Sequence, residues 1–206
     1  MPGTDLCDAC LRALPPIRAP LCDRCGAPTA WPVRRCRECA GRRLAFATAR
    51  AAVRYEREAR TLVAAWKERA LRGLATLAGR LVADALPRPA ADAIAFVPAD
   101  PDRGLRRGHH PAAALAAHLA ETWELPLVPL LERPWAGRPQ RALGLRERRW
   151  NVAGAFVACR SPPARVVLVD DVYTTGATAS EAASCLRRAG ARGVDVVTFA
   201  RTVRRG

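Results

Sequence analysis

Residues 165–188, RVVLVDDVYTTGATASEAASCLRR, constrain the fold more than any other stretch of this chain. The run RVVLV is continuously apolar after its first residue, which suits a strand buried on both faces of a parallel sheet. Asp170 and Asp171 are expected to mark its C-terminal end, with a helix running through ASEAASCLRRAG to Gly190. The linking turn TTGAT combines small side chains, hydroxyl donors and backbone N–H groups at a helix N-terminus, which is how a phosphate is cradled. Gly176 allows the backbone to approach such an anion closely.

Carboxylates accept hydrogen bonds but repel phosphates. Two of them beside a phosphate cradle point to a ligand that carries hydroxyls a few ångströms from its phosphate. A ribose 5-phosphate fits, with Asp170 and Asp171 accepting from the ring hydroxyls and the turn holding the phosphate. Alternatively, a divalent cation bridges the carboxylates and a pyrophosphate. The chain has no G-x-x-x-x-G-K-[ST] and no G-x-G-x-x-G after a strand, which excludes a P-loop and a dinucleotide fingerprint. The aspartate pair of a receiver domain belongs near the first strand, not here. A purely structural pair is costly, because buried like charges need a partner.

Six of the eight cysteines fall within residues 7–39, as the pairs CDAC, CDRC and CREC. This segment is too short and too poor in periodic apolar residues to fold without a staple. No signal peptide is legible at the start and no apolar run reaches the ~20 residues of a membrane span. The expected location is therefore cytoplasmic, where repeated Cys-x-x-Cys reads as zinc rather than disulfide. Cys22, Cys25, Cys36 and Cys39 are expected to share one ion, because a two-residue spacing aims both thiolates of a knuckle at one tetrahedral centre. Cys7 and Cys10 are left over: they hold no metal, meet ligands from a longer N-terminus, or pair differently. A redox pair is disfavoured, since no pair sits at a strand-to-helix junction. Cys159 and Cys185 read as small core residues. Residues 1–45 thus form a ribbon module and 46–206 the main domain.

The middle of the chain alternates strand and helix. TARAAVRYE and AIAFVPAD read as strands, residues 57–85 as one or two amphipathic helices with a break near Gly73, and AAALAAHLAETW as a helix. LPLVPLLERP is a further strand candidate. His109, His110 and His118 follow no metal-ligand spacing and are expected to be packed or solvated. Lys+Arg 34 against Asp+Glu 19 give a net charge of +15, and Lys67 is the only lysine. Such a surface favours phosphate-rich partners, although arginine bias from a GC-rich genome accounts for the same count. The basic stretch 133–156 interleaves Arg133, Arg138, Arg141, Arg146, Arg148 and Arg149 with Trp135 and Trp150. It suits gripping a nucleic-acid strand, closing over a charged small ligand, or a solvated insertion.

VVLVDDVYTTGAT resembles the phosphoribosyl-pyrophosphate motif of type I phosphoribosyltransferases. Together with the cysteine ribbon, AWKERA around Lys67, Arg107-Gly108, and the pattern Gln140, Leu143, Arg146, Arg149 and Asn151, the chain resembles the ComF family over nearly its whole length. That family includes competence proteins linked to DNA uptake and the GntX-type members. The resemblance implies an α/β fold, a type I phosphoribosyltransferase-like parallel sheet flanked by helices, preceded by a small zinc ribbon. It implies ribose contacts from Asp170 and Asp171, and a 5′-phosphate held by Thr174, Thr175, Gly176, Ala177 and Thr178. Arg107 and Gly108 join the ligand-binding residues, and magnesium travels with the pyrophosphate. Displacement at the anomeric carbon involves Asp170, Asp171 and Arg146, the last on a loop that excludes water. His109, His110 and Pro111 stand where relatives carry an aromatic-Asn-Gln run. Relatives also commonly carry four Cys-x-x-Cys pairs, and CDAC aligns with the second, which implies a shortened start.

Two other functions compete: a single-stranded DNA-binding competence factor with a regulatory or vestigial phosphate site, and a zinc-ribbon adaptor joining partner proteins of the competence machinery.

Overall fold

The structure is a computed structural model that describes residues 6–68, 73–100, 109–134 and 154–203. After a single-turn helix α1 (Asp8–Arg12) and the cysteine ribbon come β1 (Thr48–Arg54), α2 (Arg57–Glu68), α3 (Gly73–Ala85), β2 (Ala93–Phe96) and α4 (Pro111–Trp123). The chain continues through β3 (Leu131–Glu132), β4 (Val157–Ala158), β5 (Arg165–Tyr173), α5 (Ala177–Arg188) and β6 (Gly193–Arg201). Four strands form one sheet in the order β1-β6-β5-β2, and every neighbouring pair is parallel. β3 and β4 make a separate antiparallel pair.

Strand β5 shows why the sheet is parallel and covered on both sides. Val167 and Val169 enter a core with Leu62, Val63 and Trp66 of α2, Ala78 and Val82 of α3, and Leu115 and Leu119 of α4. Val166 and Leu168 enter a second core with Ala182 and Leu186 of α5, Phe46, and the ribbon cysteines Cys22, Cys25 and Cys39. This two-residue alternation between two apolar faces reads in sequence as an uninterrupted hydrophobic run. β6 repeats it: Val197 and Phe199 face the first core, Val194 and Val196 the second. The ribbon therefore shares its core with the sheet.

Of the expected strands TARAAVRYE and AIAFVPAD, the structure pairs Thr48–Arg54 and Ala93–Phe96, and residues 57–85 hold two helices, the second beginning at Gly73. LPLVPLLERP is divided: Leu127 makes one parallel bridge to Ile94, and only Leu131–Glu132 is a strand. The carboxylate pair is not at the end of its strand. Asp170 pairs with Thr198, and the ladder runs on through Val172↔Ala200 and Tyr173↔Arg201, because β6 is long enough to keep bonding. The helix after the turn ends at Arg188. Cys185 is buried as expected, but Cys159 is exposed, its thiol donating to the Pro129 carbonyl at 3.2 Å. No helix among the described residues is long and apolar enough to cross a membrane.

Candidate functional site

The C-terminal ends of the parallel strands open on a cavity of about 350 Å³, the size of a small-ligand pocket. Asp170 and Asp171 of β5, Thr174 and Thr178 of the turn, Lys67 of α2, and Asp100 beyond β2 all line it. Open α/β sheets bind ligands at this edge, because strand ends and helix N-termini converge there.

Alternation along β5 explains how one aspartate finds a cation. Val167 and Val169 face α2, so the next odd position, Asp171, points to the same side. Its Oδ2 lies 2.7 Å from Lys67 Nζ. Asp170 accepts from the Asp171 backbone N–H at 2.8 Å. Burial first, then the charge of Asp171, raise the Asp170 carboxyl from the usual carboxylate range to about 7, with Lys67 opposing. One carboxylate of the pair thus holds the ammonium and the other does not, and the site is built to receive hydroxyl donors or a cation.

The turn after β5 ends at Gly176, the N-cap of α5, with φ 73°. Gly176 is buried, and a Cβ there would collide with the Tyr173 ring and hydroxyl. The hydroxyl of Thr175 accepts from Ala177 N–H at 3.3 Å, folding the turn at the N-terminus of a three-turn helix.

The histidines serve structure. His109 Nε2 donates to the Trp66 carbonyl at 2.6 Å. His110 caps α4 and faces two backbone donors, Ala99 N–H on Nε2 at 2.6 Å and Ala113 N–H on Nδ1 at 3.2 Å. A neutral imidazole has one acceptor nitrogen, so the shorter bond to Ala99 is the stronger claim on it. Burial pushes the His110 ring toward its neutral form. His118 packs against Gly79, where a Cβ would strike its ring.

The ribbon gathers the four expected cysteines. The Sγ atoms of Cys22, Cys25, Cys36 and Cys39 all lie within 4.8 Å of one another. Cys22–Cys39 is 3.6 Å, Cys25–Cys36 3.4 Å and Cys36–Cys39 4.0 Å. A zinc ion with bonds of about 2.3 Å needs tetrahedral thiolates about 3.8 Å apart, so the donor set fits zinc in type and spacing. Gly26 turns the first knuckle with φ 66°, and a Cβ there would collide with the Ala49 carbonyl. Cys36 N–H donates to Cys22 Sγ at 3.2 Å. At Cys22 burial pushes the thiol up, but backbone donors from Cys25, Cys36 and Arg24 outweigh it and bring it to about 7. Burial pushes Cys25 upward and Cys39 to about 11. Cys7 and Cys10 lie exposed at α1, apart from this cluster.

Of the residues expected at the site, Asp170, Asp171 and the 174–178 turn converge on one edge. Arg107, Gly108 and Arg146 lie outside the described residues, as does most of the basic stretch, from 135 to 153. Sequence reasoning noticed Lys67 without seeing its partner, 104 positions away, and it missed Arg201. That arginine is 1% exposed, which no local pattern announces.

These features define an α/β protein with a covered parallel sheet, a carboxylate-and-turn site at its C-terminal edge, and a four-cysteine ribbon packed on one face. The Salmonella typhi DNA utilization protein YhgH is 30% identical over 212 aligned positions, covering 96% of this chain and 91% of that protein. Haemophilus influenzae Competence protein F is 35% identical over 141 residues, 66% of this chain, and the match spans 62% of that protein's length. The chain belongs to the ComF family of these proteins. No family model matches it. Among solved structures, it is similar to the allosteric regulatory enzyme of purine biosynthesis, with TM-score 0.43 and 25% identity over 60% of this chain and 25% of that one. It is also similar to a purine phosphoribosyltransferase from Pyrococcus horikoshii Ot3, with TM-score 0.35 and 21% identity over 61% of this chain and 82% of that one. The architecture described above rests on strand order and helix placement, not on these superpositions.

Proposed function

We propose that the protein binds phosphoribosyl pyrophosphate with magnesium and transfers its ribosyl 5-phosphate to a nucleophilic acceptor. The observation that carries this reading is the cavity that Asp170, Asp171 and Lys67 line together with Thr174 and Thr178 of the turn. In this reading the turn amides and the Thr174 and Thr178 hydroxyls hold the 5′-phosphate. Asp170 and Asp171 accept from the ribose hydroxyls, and Lys67 fixes the orientation of Asp171. The oxygen donors present, with Asp170 lacking an ion-pair partner among the described residues beside the Lys67-paired Asp171, fit magnesium. When bound, magnesium neutralises pyrophosphate charge. The bond from the anomeric carbon to pyrophosphate breaks, the acceptor's lone pair forms the new bond, and the acceptor releases a proton. Carboxylates beside the ring favour the positive charge that develops there. Arg107, Gly108 and Arg146 complete the site by family resemblance, Arg146 from a loop that excludes water. The main domain is residues 46–206, with 1–45 as the zinc ribbon, and a reducing cytoplasm keeps the thiols available.

Isothermal titration with magnesium and phosphoribosyl pyrophosphate tests the reading. The wild type gives a saturable heat, and Asp170→Asn with Asp171→Asn abolishes it. An unchanged affinity in the double variant would overturn the assignment.

A second reading, single-stranded DNA binding in the service of competence, is favoured by one observation. Trp31 is 68% exposed on the ribbon, and Arg24, Arg34 and Arg35 of the same module line a cleft against the start of β1. An exposed indole stacks on bases while arginines track phosphates. The relatives' names, competence and DNA utilization, agree with it. Trp31→Ala is expected to weaken binding to an oligothymidine and to leave melting unchanged, whereas undiminished affinity removes Trp31 from the interface.

A further inference from the structure

The cysteine ribbon reaches the Thr174–Thr178 turn through a buried arginine, Arg201, and the Tyr173 ring it lies over. Arg201, at the end of β6, is 1% exposed. One guanidinium nitrogen donates to the Cys25 carbonyl, in the first knuckle. The other pairs with Glu38 Oε2 at 2.9 Å, and Glu38 lies between the two cysteines of the second knuckle. A planar guanidinium with two rigid forks thus ties both knuckles together. Its Nε donates to the Thr202 carbonyl at 3.3 Å, which locks it to the strand.

The same guanidinium lies over the Tyr173 ring, 5.1 Å from its centroid. Tyr173 reaches this face because the alternation of β5 breaks at Val172, which packs toward the first core while Tyr173 joins the second. The tyrosine ring then sits directly under Gly176, leaving no room for a Cβ. Phe46, in the segment joining the ribbon to β1, meets the ring edge-on at 6.2 Å. A second tie runs alongside: Ala45 N–H donates to Ser180 Oγ, in the first turn of α5, at 3.1 Å. The residues around the metal and the residues around the anion therefore share walls.

We propose that Arg201 and Tyr173 are positioning residues that make metal binding in the ribbon and anion binding at the Thr174–Thr178 turn one linked equilibrium. The inference rests on the phosphate-binding reading above and assigns the ribbon a part in that site. Four thiolates on one ion set the spacing of the Cys25 carbonyl and Glu38. That spacing seats Arg201, Arg201 presses Tyr173 beneath Gly176, and the turn keeps the shape that fits a phosphate. Such linkage is reciprocal: whatever the metal does for the anion, the anion does for the metal. It gives the ribbon a function that an appended interaction module does not have.

The test measures zinc release from the full-length, zinc-loaded protein into a chromogenic chelator, with and without saturating ribose 5-phosphate, after titration calorimetry has established saturation. In the wild type the sugar phosphate is expected to slow release about fivefold or more, the lower end of common coupling strengths. Arg201→Lys keeps the charge but not the planar fork, and is expected to load one zinc per chain, bind ribose 5-phosphate more weakly, and lose the slowing. Tyr173→Leu, which keeps apolar volume but not the ring, is expected to do the same and serves where the arginine variant does not fold. A zinc release rate indifferent to ribose 5-phosphate in the wild type, or slowed equally in both variants, overturns the linkage while leaving the phosphate site intact. No binding of ribose 5-phosphate to the wild type removes both readings together.

Discussion

At the ribbon, four thiols lie within 4.8 Å of one another, while at the edge of the sheet Asp100, Asp170 and Asp171 face a cavity of about 350 Å³ together with Lys67 and Arg133. Both places gather groups that repel one another once charged, and they differ in what completes them. The ribbon supplies a closed tetrahedron of like donors, three of its cysteines buried, so a resident ion is the fitting complement. The carboxylate edge is open and, among the described residues, mixes hydroxyls, three carboxylates and two cations, Lys67 and Arg133, so the fitting complement arrives and leaves. The same contrast separates the two ion pairs. Arg201 is surrounded by the Cys25 carbonyl, Glu38, the Thr202 carbonyl and the Tyr173 ring, which immobilise it. The Lys67 side chain is 27% exposed and pairs with Asp171, leaving buried Asp170 beside it without an ion-pair partner among the described residues. A satisfied cluster holds structure; an unsatisfied one awaits a ligand.

The most damaging way to break this comparison is to open the tetrahedron. Cys39→Ser is expected to reduce zinc content to background and to unfold the ribbon, because structural zinc contributes on the order of 10 kcal/mol to modules of this kind. Atomic absorption alongside a melting curve checks it. Full zinc occupancy in that variant would mean the four cysteines are not one site.

The next largest effect is expected at the join of the two regions. Gly176→Val places a β-branched side chain at φ 73° and drives its Cβ into Tyr173. The left-handed backbone and the overpacking together are expected to cost about 2–4 kcal/mol, read as a lower denaturant midpoint with unchanged zinc content. A variant as stable as the wild type would show that the turn and Tyr173 are not packed as described.

Removing charge at the open edge is expected to act in the opposite direction. Asp170 has its carboxyl raised to about 7 by burial and by Asp171. Between the unfolded carboxylate value near 4 and about 7, the folded state holds a proton that the unfolded state releases. Stability from this group is therefore full below about pH 4 and is lost as pH rises through about 7. Asp170→Asn should abolish that loss and stabilise the protein at pH 8 by on the order of 2 kcal/mol, while eliminating ribose 5-phosphate binding. Melting curves at pH 5 and pH 8 separate the cases: a variant no more stable than wild type at pH 8 would show that ionised Asp170 is not a strained group.

How much of this was legible in sequence follows from the range of the forces involved. The four-cysteine cluster was readable because its determinant, a two-residue spacing repeated across a short gap, is local. β5 was readable because a strand covered on both faces cannot avoid an apolar run. β6, which lies between β1 and β5, was not identified, because Asp195, Thr198 and Arg201 interrupt its apolar pattern. Each interruption has a tertiary reason: Asp195 accepts from Thr48 Oγ1 at 2.6 Å, Thr198 is bonded to the Ala200 carbonyl, and Arg201 holds the ribbon. The end of β5 was placed too early for a related reason, since two carboxylates break hydrophobicity without breaking the ladder. Lys67 was visible as an oddity, but its role depends on α2 packing against the Val167–Val169 side of the sheet, a relation that no window of sequence contains.

The smallest expected effect sets the baseline for the others. Arg188 lies 3.8 Å from Glu181, with 60% of its side chain exposed, and its Nη1 donates to Ser184 Oγ at 2.8 Å. The Glu181 side chain is 20% exposed and also accepts from Gly154 N–H at 2.8 Å, so it keeps a hydrogen bond when the well-solvated arginine is removed. The solvent around Arg188 screens the pair. Arg188→Ala is expected to change stability by less than about 0.5 kcal/mol, with zinc content and ribose 5-phosphate affinity unchanged. Measured in the same buffer as Asp170→Asn, it tests whether charge removal as such shifts this very basic protein. A chain carrying +15 gains relief from losing any arginine and loses it on losing any aspartate. If general repulsion governed stability here, Arg188→Ala would stabilise and Asp170→Asn would destabilise. Local desolvation predicts near silence for the first and a gain for the second, so the signs of the two changes decide between a global and a local account of the site.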